Sequence, residues 1–334
     1  MVCCTNLLNG KAGSIVNAPV FSIVIPLYNR AEQIGRTLES CLGREGDDFE
    51  IIVVDDASTD DSVSRVQAYR DERIRLVQHS VNRGVGSARN TGIDAARGEW
   101  IVLLDSDHEL LPNALSCMRR DLESISESIA QISYNCVYEN GDPCPDPPLR
   151  AGTWNYRDFL AFAERSQQHS DMQTCTRRET FRRIRFPESR MLESGYHMDF
   201  ARRYRIETRP DVIKRIYRDS GDRISDSRGR ALLKRAPDQA EGLRDLLRTH
   251  GKALRRYAPG KYRHLVGACA LYAFLADKRA TGFRMAVHIL AGDPANVRLW
   301  AILLLGLAGH GPLLVGMQAM DGLKRVLRRV RRGI

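Results

Sequence analysis

The chain has 334 residues, 43% of them apolar and 28% charged, and 51 Lys and Arg against 41 Asp and Glu give a net charge of +10. That is a globular composition with room for about two domains, and it excludes a disordered or collagen-like chain. Because Asp321–Ile334 holds six basic residues and one acidic, the body of the chain is only mildly basic, which argues against nucleic acid as a partner.

In chain order, four apolar runs read as buried strands: FSIVI (21–25), EIIVV (50–54), IRLVQ (74–78) and WIVLL (100–104). Between them Ile34, Leu38, Cys41 and Leu42 fall at helix spacing, and Val63, Val66 and Tyr69 mark a second helix after Asp60. Strand and helix in alternation predict right-handed crossovers and a mostly parallel, Rossmann-like α/β sheet. Ligands of such sheets bind beyond the carboxyl ends of the strands. That directs attention to four polar turns: Pro26-Leu27-Tyr28-Asn29, Asp55–Asp60, Asn82-Arg83-Gly84 and Asp105-Ser106-Asp107.

Past residue 125 the regularity weakens, and ENGDPCPDPP (139–148) marks a loop. From about Asp226 the pattern is helical. Leu299–Ala308 is a ten-residue apolar run, short of the ~18–20 residues of a membrane-spanning helix, and is expected in a core or at an interface. The expected organisation is an N-terminal extension (1–19), a nucleotide-binding half (20–125), an acceptor-binding half (126–228) and a helical C-terminal region (229–334). The eight cysteines show no C-x-x-C spacing, and no positive charge precedes a sustained apolar stretch at the N-terminus. Neither zinc, a disulfide framework nor a secretory signal is expected, and a reducing cytoplasmic compartment fits.

Asp105 and Asp107 follow a strand at i and i+2, positions that point the same way in an extended segment. Two carboxylates in one crevice repel unless a cation joins them, and Mg²⁺ or Mn²⁺ suits such oxygen ligands. The competing role is an acidic turn capping the helix that starts near Pro112. Asp55 and Asp56 at the second strand end are placed to accept from a base N–H or ribose hydroxyls; capping by Asp56, Ser58 or Asp60 is the alternative. Asn82–Asn90 supplies glycines, a helix start and the guanidinium groups of Arg83 and Arg89, the parts that hold a diphosphate.

Taken together, FSIVIPLYN, IIVVDDASTDDS and NRGVGSARNTGIDAARGEWIVLLDSD, in that order, resemble the nucleotide-binding half of family-2 glycosyltransferases, inverting enzymes of the GT-A fold. The resemblance covers residues 20–125 densely. It implies that Pro26, Tyr28, Asn29, Asp55, Asp56 and Ser58 border the nucleotide of a nucleotide-sugar donor and that Asn82, Gly84, Arg89 and Asn90 shape its pocket. Asp105, Ser106 and Asp107 correspond to the metal motif, with Asp107 the direct ligand of Mn²⁺ or Mg²⁺ and Asp105 beside it. The family's general base is the acidic residue of a Glu-Asp pair after a Phe-Asp-Glu-like element. Here Phe186-Pro187-Glu188 precedes Glu193, whose partner position holds Ser194 in place of Asp; Asp199 and His197 are rival bases. Arg218, Asp219 and Arg223 are candidates for the donor diphosphate or the acceptor site.

The expected function is metal-dependent, hexosyltransferase-like transfer of a sugar to a saccharide or lipid-linked acceptor, in envelope or extracellular polysaccharide or glycolipid synthesis. A sugar-phosphate nucleotidyltransferase would want a Gly-rich basic loop where this chain has PLYNR, and a non-catalytic nucleotide-binding scaffold is the remaining alternative. Leu323, Val326, Leu327 and Val330 at helix spacing among Lys324, Arg325, Arg328, Arg329, Arg331 and Arg332 suit a basic amphipathic helix on an anionic membrane surface or a helix packed on the body. The expected location is cytoplasmic, peripheral on the inner membrane face where the tail binds lipid.

Overall fold

The computed structural model describes residues 18–43, 46, 48–166, 171–188, 193–218 and 230–316. The basic segment 322–334, Asp219 and Arg223 lie outside them. The four apolar runs form β1 (Phe21–Leu27), β2 (Phe49–Asp55), β3 (Ile74–Gln78) and β4 (Trp100–Leu103), connected by α1 (Ile34–Leu42), α2 (Ser62–Gln67) and α3 (Val85–Ala95). They pair in parallel in the order β3-β2-β1-β4.

Both faces of β1, β2 and β4 are covered, which is why these strands read as continuous apolar runs and not as alternating ones, whereas β3 is only partly buried. On one face Ile23, Ile25, Ile51 and Val53 pack against Ile34 and Leu38 of α1 and Met118 of α4 (Ala114–Ser124). On the other, Val24, Ile52, Val54 and Ile101 meet Ala88 and Ile93 of α3. Each fully buried aliphatic side chain contributes ~1.5–3 kcal/mol. The approach of α3 requires Gly92, where a Cβ would stand 2.3 Å from Val24 Cγ1.

Beyond β4 come β5 (Glu109–Leu110), β6 (Ile129–Tyr138), β7 (Pro143–Cys144), β8 (Gly152–Trp154), β9 (Gln173–Arg177) and β10 (Arg205–Ile216). The sheet continues β4-β9-β6-β10-β5, with β7 on β6 and β8 on β10. β9 runs antiparallel to both β4 and β6, and β10 is parallel to β6. Strands β1, β2, β3, β4, β6 and β10 therefore point their carboxyl ends to one edge, and the cleft lies there. Two helices, α5 (Tyr156–Arg165) and α6 (Ser194–Arg203), flank it. Further helices are α7 (Arg230–Tyr257), α8 (Pro259–Leu275), α9 (Arg279–Leu290) and α10 (Val297–Ala308), and residues 310–316 are also helical. Leu243 and Leu254 of α7 and Leu265 of α8 enclose Leu160 of α5 and Met198 of α6, so the helical region buttresses the helix that forms one cleft wall. No helix among the described residues is long and apolar enough to cross a membrane.

A buried carboxylate ties the opposite edge. Glu50, 1% exposed, accepts from the Ser22 hydroxyl (2.8 Å), the Arg97 backbone N–H (2.7 Å), Arg97 Nε (2.9 Å) and Arg75 Nη1 (3.2 Å). Burial works to raise its pKa, but the hydrogen bonds from Arg97 and Ser22 outweigh it and leave the pKa below the ordinary 4.5. A carboxyl depressed in the folded state stabilises above its ordinary value and loses that contribution as pH falls. Glu50→Gln is expected to cost about 2 kcal/mol at neutral pH, and the gap to wild type in urea denaturation should narrow as pH drops below 4.5.

Candidate active site

The donor edge is built by turns that brace one another. After β1, Asn29 adopts a left-handed conformation (φ 49°); its N–H donates to Ser58 Oγ (3.0 Å) and its Oδ1 accepts from the Thr59 N–H (2.8 Å). Asp55 accepts the Ser58 N–H on both carboxylate oxygens at 3.3 Å. Pro26 is buried within β1, and Tyr28 is left 42% exposed at the rim.

Two expected donor-site side chains also brace the surrounding backbone. Asp56 Oδ1 accepts from His79 Nδ1 (2.8 Å) and the Arg83 N–H (2.9 Å), and Oδ2 accepts from the Gly84 N–H (2.7 Å). Its acceptor capacity thus fixes the 82–84 loop, with Asn82 exposed on it. Gly84 sits at φ 91°, ψ 159°, a conformation open essentially to glycine alone. The Asn90 amide clamps the Phe186 backbone, donating to its carbonyl (2.9 Å) and accepting from its N–H (3.1 Å).

Arg89, on the same turn of α3, faces a cleft of about 310 Å³ lined by Asp105, Glu193, His197 and Lys214. Its guanidinium is buried, donating through Nη1 to Glu193 Oε1 and through Nη2 to Asp105 Oδ1 at 3.0 Å. Burial works to raise the Asp105 pKa, but the charges of Arg89, His108 and Lys214 overcome it and hold the carboxyl well below the usual carboxylate range. Glu193, at the N-cap of α6, and Asp105 keep 38% and 42% of their side-chain surface exposed. Arg89→Met would leave the two carboxylates facing each other. We expect a loss of about 2 kcal/mol, less than for a fully buried pair because both carboxylates are part-exposed, with the deficit in thermal unfolding shrinking as pH falls and the depressed Asp105 carboxyl loses its stabilising contribution.

The Asp105-Ser106-Asp107 segment corrects a geometric expectation. It is a turn, closed by the His108 N–H on the Asp105 carbonyl (3.1 Å), not an extended strand end, and Ser106 is buried. The His108 ring stands between the carboxylates, with Nδ1 3.6 Å from Asp105 Oδ2 and Nε2 3.5 Å from Asp107 Oδ1; Arg30 Nε is 3.7 Å from Asp107 Oδ2. Burial and then Lys214 lower the His108 pKa despite the two carboxylates. The buried Nδ1 of His108 has no hydrogen-bond partner among the described residues. Carboxylate oxygens with neighbours at such distances retain coordinating capacity, and they are the ligand type that Mg²⁺ and Mn²⁺ take, so the donor set fits a divalent cation. No three His, Cys, Asp or Glu side chains among the described residues group to hold one; a cation bound here would need phosphate oxygens to complete its sphere, as magnesium often does.

The rival bases separate spatially. His197 lines the cleft with its pKa lowered chiefly by burial. Asp199 points to α7, 3.4 Å from His250 Nε2, whose Nδ1 is 2.7 Å from the Tyr156 hydroxyl. Arg218 stacks on Tyr138 at 3.8 Å.

Sequence reasoning missed His79, His108, Asp171 and Lys214. Lys214 is 6% exposed on β10; burial pulls its pKa down, but Cys136, Asp171 and Asp105 outweigh that and the net shift is upward. No motif marks it, since its partners come from β6, the 171 loop and the Asp105 turn. Across the cleft Trp154, Phe159 and Phe162 form an apolar wall.

Residues 22–184 match the family model described as Glycosyl transferase family 2. Among curated proteins, the succinoglycan biosynthesis protein ExoO of Rhizobium meliloti is 44% identical over 120 residues, 36% of this chain and 34% of that protein. The GalNAc(5)-diNAcBac-PP-undecaprenol beta-1,3-glucosyltransferase of Campylobacter jejuni is 35% identical over 124 residues, 36% of this chain and 39% of that one. The matches thus span about a third of these relatives' lengths. The structure of S. aureus TarS 1-349 in complex with UDP-GlcNAc superposes with a TM-score of 0.54 at 20% identity, covering 82% of this chain and 92% of that one, a likeness of fold. Residues 22–184 are thus similar to glycosyl transferase family 2, and the fold is of the GT-A type, with a cleft that joins Arg89, Asp105 and Glu193.

Proposed function

We propose that the chain is an inverting, divalent-cation-dependent glycosyltransferase that moves a sugar from a nucleotide-diphosphate sugar to a hydroxyl of a saccharide or lipid-linked acceptor, in the making of a surface polysaccharide or glycolipid. The observation that supports this reading is the double pairing of buried Arg89 with Asp105 and Glu193, which brings a candidate base beside the first carboxylate of the expected metal motif. Asp107 would hold the cation, with Asp105 nearby across the His108 ring; when bound, the cation offsets charge on the departing diphosphate.

The rest falls to the chain's own side chains. Tyr28, Asn29, Asp55, Ser58 and Asn82 border the nucleotide, and Asp56, Gly84 and Asn90 keep its walls in place. Glu193 accepts the acceptor hydroxyl proton as that oxygen bonds the anomeric carbon, while the bond from that carbon to the diphosphate oxygen breaks and its electrons leave with the nucleoside diphosphate. Trp154, Phe159 and Phe162 offer the acceptor sugar an apolar face, and Lys214 offers its hydroxyls a charged donor. One displacement inverts the anomeric carbon. NMR of the product made with a donor found by screening tests this: inverted configuration is expected, and retained configuration would refute the single displacement.

A further inference from the structure

The outer surface of α9 and α10 is apolar where water should meet it. Seven of the ten exposed large apolar side chains among the described residues lie on α9, α10 or just beyond. Phe283 and Val287 are one helical turn apart on α9. Val297, Trp300, Leu304 and Leu307, spaced three and four residues apart, form a stripe along α10 in which Leu304 is 63% and Trp300 43% exposed. The stripe is not surplus core. The opposite faces of both helices are already packed, with Ala286, Ile289, Ile302 and Leu303 in one cluster with Phe274 of α8.

Charge says what covers it. From Asp277 to Ala308 the chain has four Lys and Arg, namely Lys278, Arg279, Arg284 and Arg298, against two acidic residues, Asp293 and Asp277, the latter paired with Arg279 at 3.0 Å; all four cations are exposed, and Arg284 and Arg298 flank the apolar stripe. A second copy of this face would bring like charges together. Residues 317–334 add six basic residues and one acidic to the same end of the chain. An anionic lipid surface complements both the cations and the apolar stripe. A Trp beside exposed Leu and Val, rimmed by Arg and Lys, is the side-chain set of a helix seated at a bilayer interface.

We propose that the α9–α10 face docks the protein on an anionic membrane surface, with Trp300, Leu304 and Leu307 entering the headgroup region and Arg284 and Arg298 meeting lipid phosphates. This assigns lipid contact to folded helices and depends on neither donor nor turnover, so its outcome is separable from that of the proposed transferase activity.

The test uses the full chain with vesicles of phosphatidylcholine alone or mixed with phosphatidylglycerol, the latter also with brominated acyl chains. Co-sedimentation with the anionic vesicles, little with the neutral ones, and quenching of Trp fluorescence by bromine are expected. The quenching should disappear in Trp300→Phe while binding persists. Trp300→Ser combined with Leu304→Glu, both exposed and checked by an unchanged unfolding midpoint, should weaken partitioning at least tenfold. Binding without quenching, or equal binding of the double variant, would mean that basic residues elsewhere act alone and would overturn the proposal. Self-association of wild type that the double variant abolishes, without vesicle binding, would overturn it in favour of a protein interface.

Discussion

Glu193→Gln is expected to lower turnover by ~10²–10⁴-fold, the usual contribution of a positioned general base, with donor affinity unchanged. The amide oxygen of Gln can still accept from Arg89 Nη1, which donates to Glu193 Oε1 in the native site, so the cleft keeps its shape while losing a proton acceptor. The comparison that gives the result meaning is Asp199→Asn. Asp199 faces His250 on α7, and its amide should retain near-native turnover. Steady-state rates beside donor titrations decide it: full activity of the Gln variant removes Glu193 as base, and loss in the Asn variant alone would move the chemistry to the α6–α7 side. Lost turnover in the Gln variant with donor binding intact also excludes the scaffold reading.

The second large effect is at the metal motif. Asp107→Ala should weaken cation-dependent donor binding by at least ~100-fold, since loss of a direct ligand exceeds the 10–100-fold typical of residues that only orient one. Asp107 also lies within 3.7 Å of Arg30 Nε and 3.5 Å of His108 Nε2, and deleting it leaves excess positive charge in the turn. Any residual nucleotide binding should therefore no longer respond to Mn²⁺. Undiminished, Mn²⁺-sensitive binding in this variant would place the cation elsewhere.

The parallel block was legible because its strands announce themselves: FSIVI and EIIVV are buried on both faces, and the turns after them lie at the carboxyl edge. The insertion of β9 between β4 and β6 was not, since an apolar run shows that a strand exists but not which strand it pairs with. Within the site, acidic and basic residue types at strand ends were readable and their partners were not. Asp56 and Asp55 are neighbours in sequence, yet Asp56 is engaged by His79 and two backbone N–H groups from a distant loop. Asn90 and Arg89 are neighbours too, and helix geometry sends one to the Phe186 backbone and the other to the cleft. The two-residue spacing of Asp105 and Asp107 suggested a shared direction, but the turn interposed His108. Lys214 carries no local signal because a lone Lys in a twelve-residue strand acquires its meaning only from the carboxylates the fold brings to it.

The most direct test of the central claim is calorimetric titration of the folded full chain with UDP, GDP and CMP, each with and without Mn²⁺. The account predicts that one nucleotide binds, that it is a diphosphate, and that binding requires the cation. A folded sample that binds none of them, or binds one equally well after the cation is chelated, would contradict it.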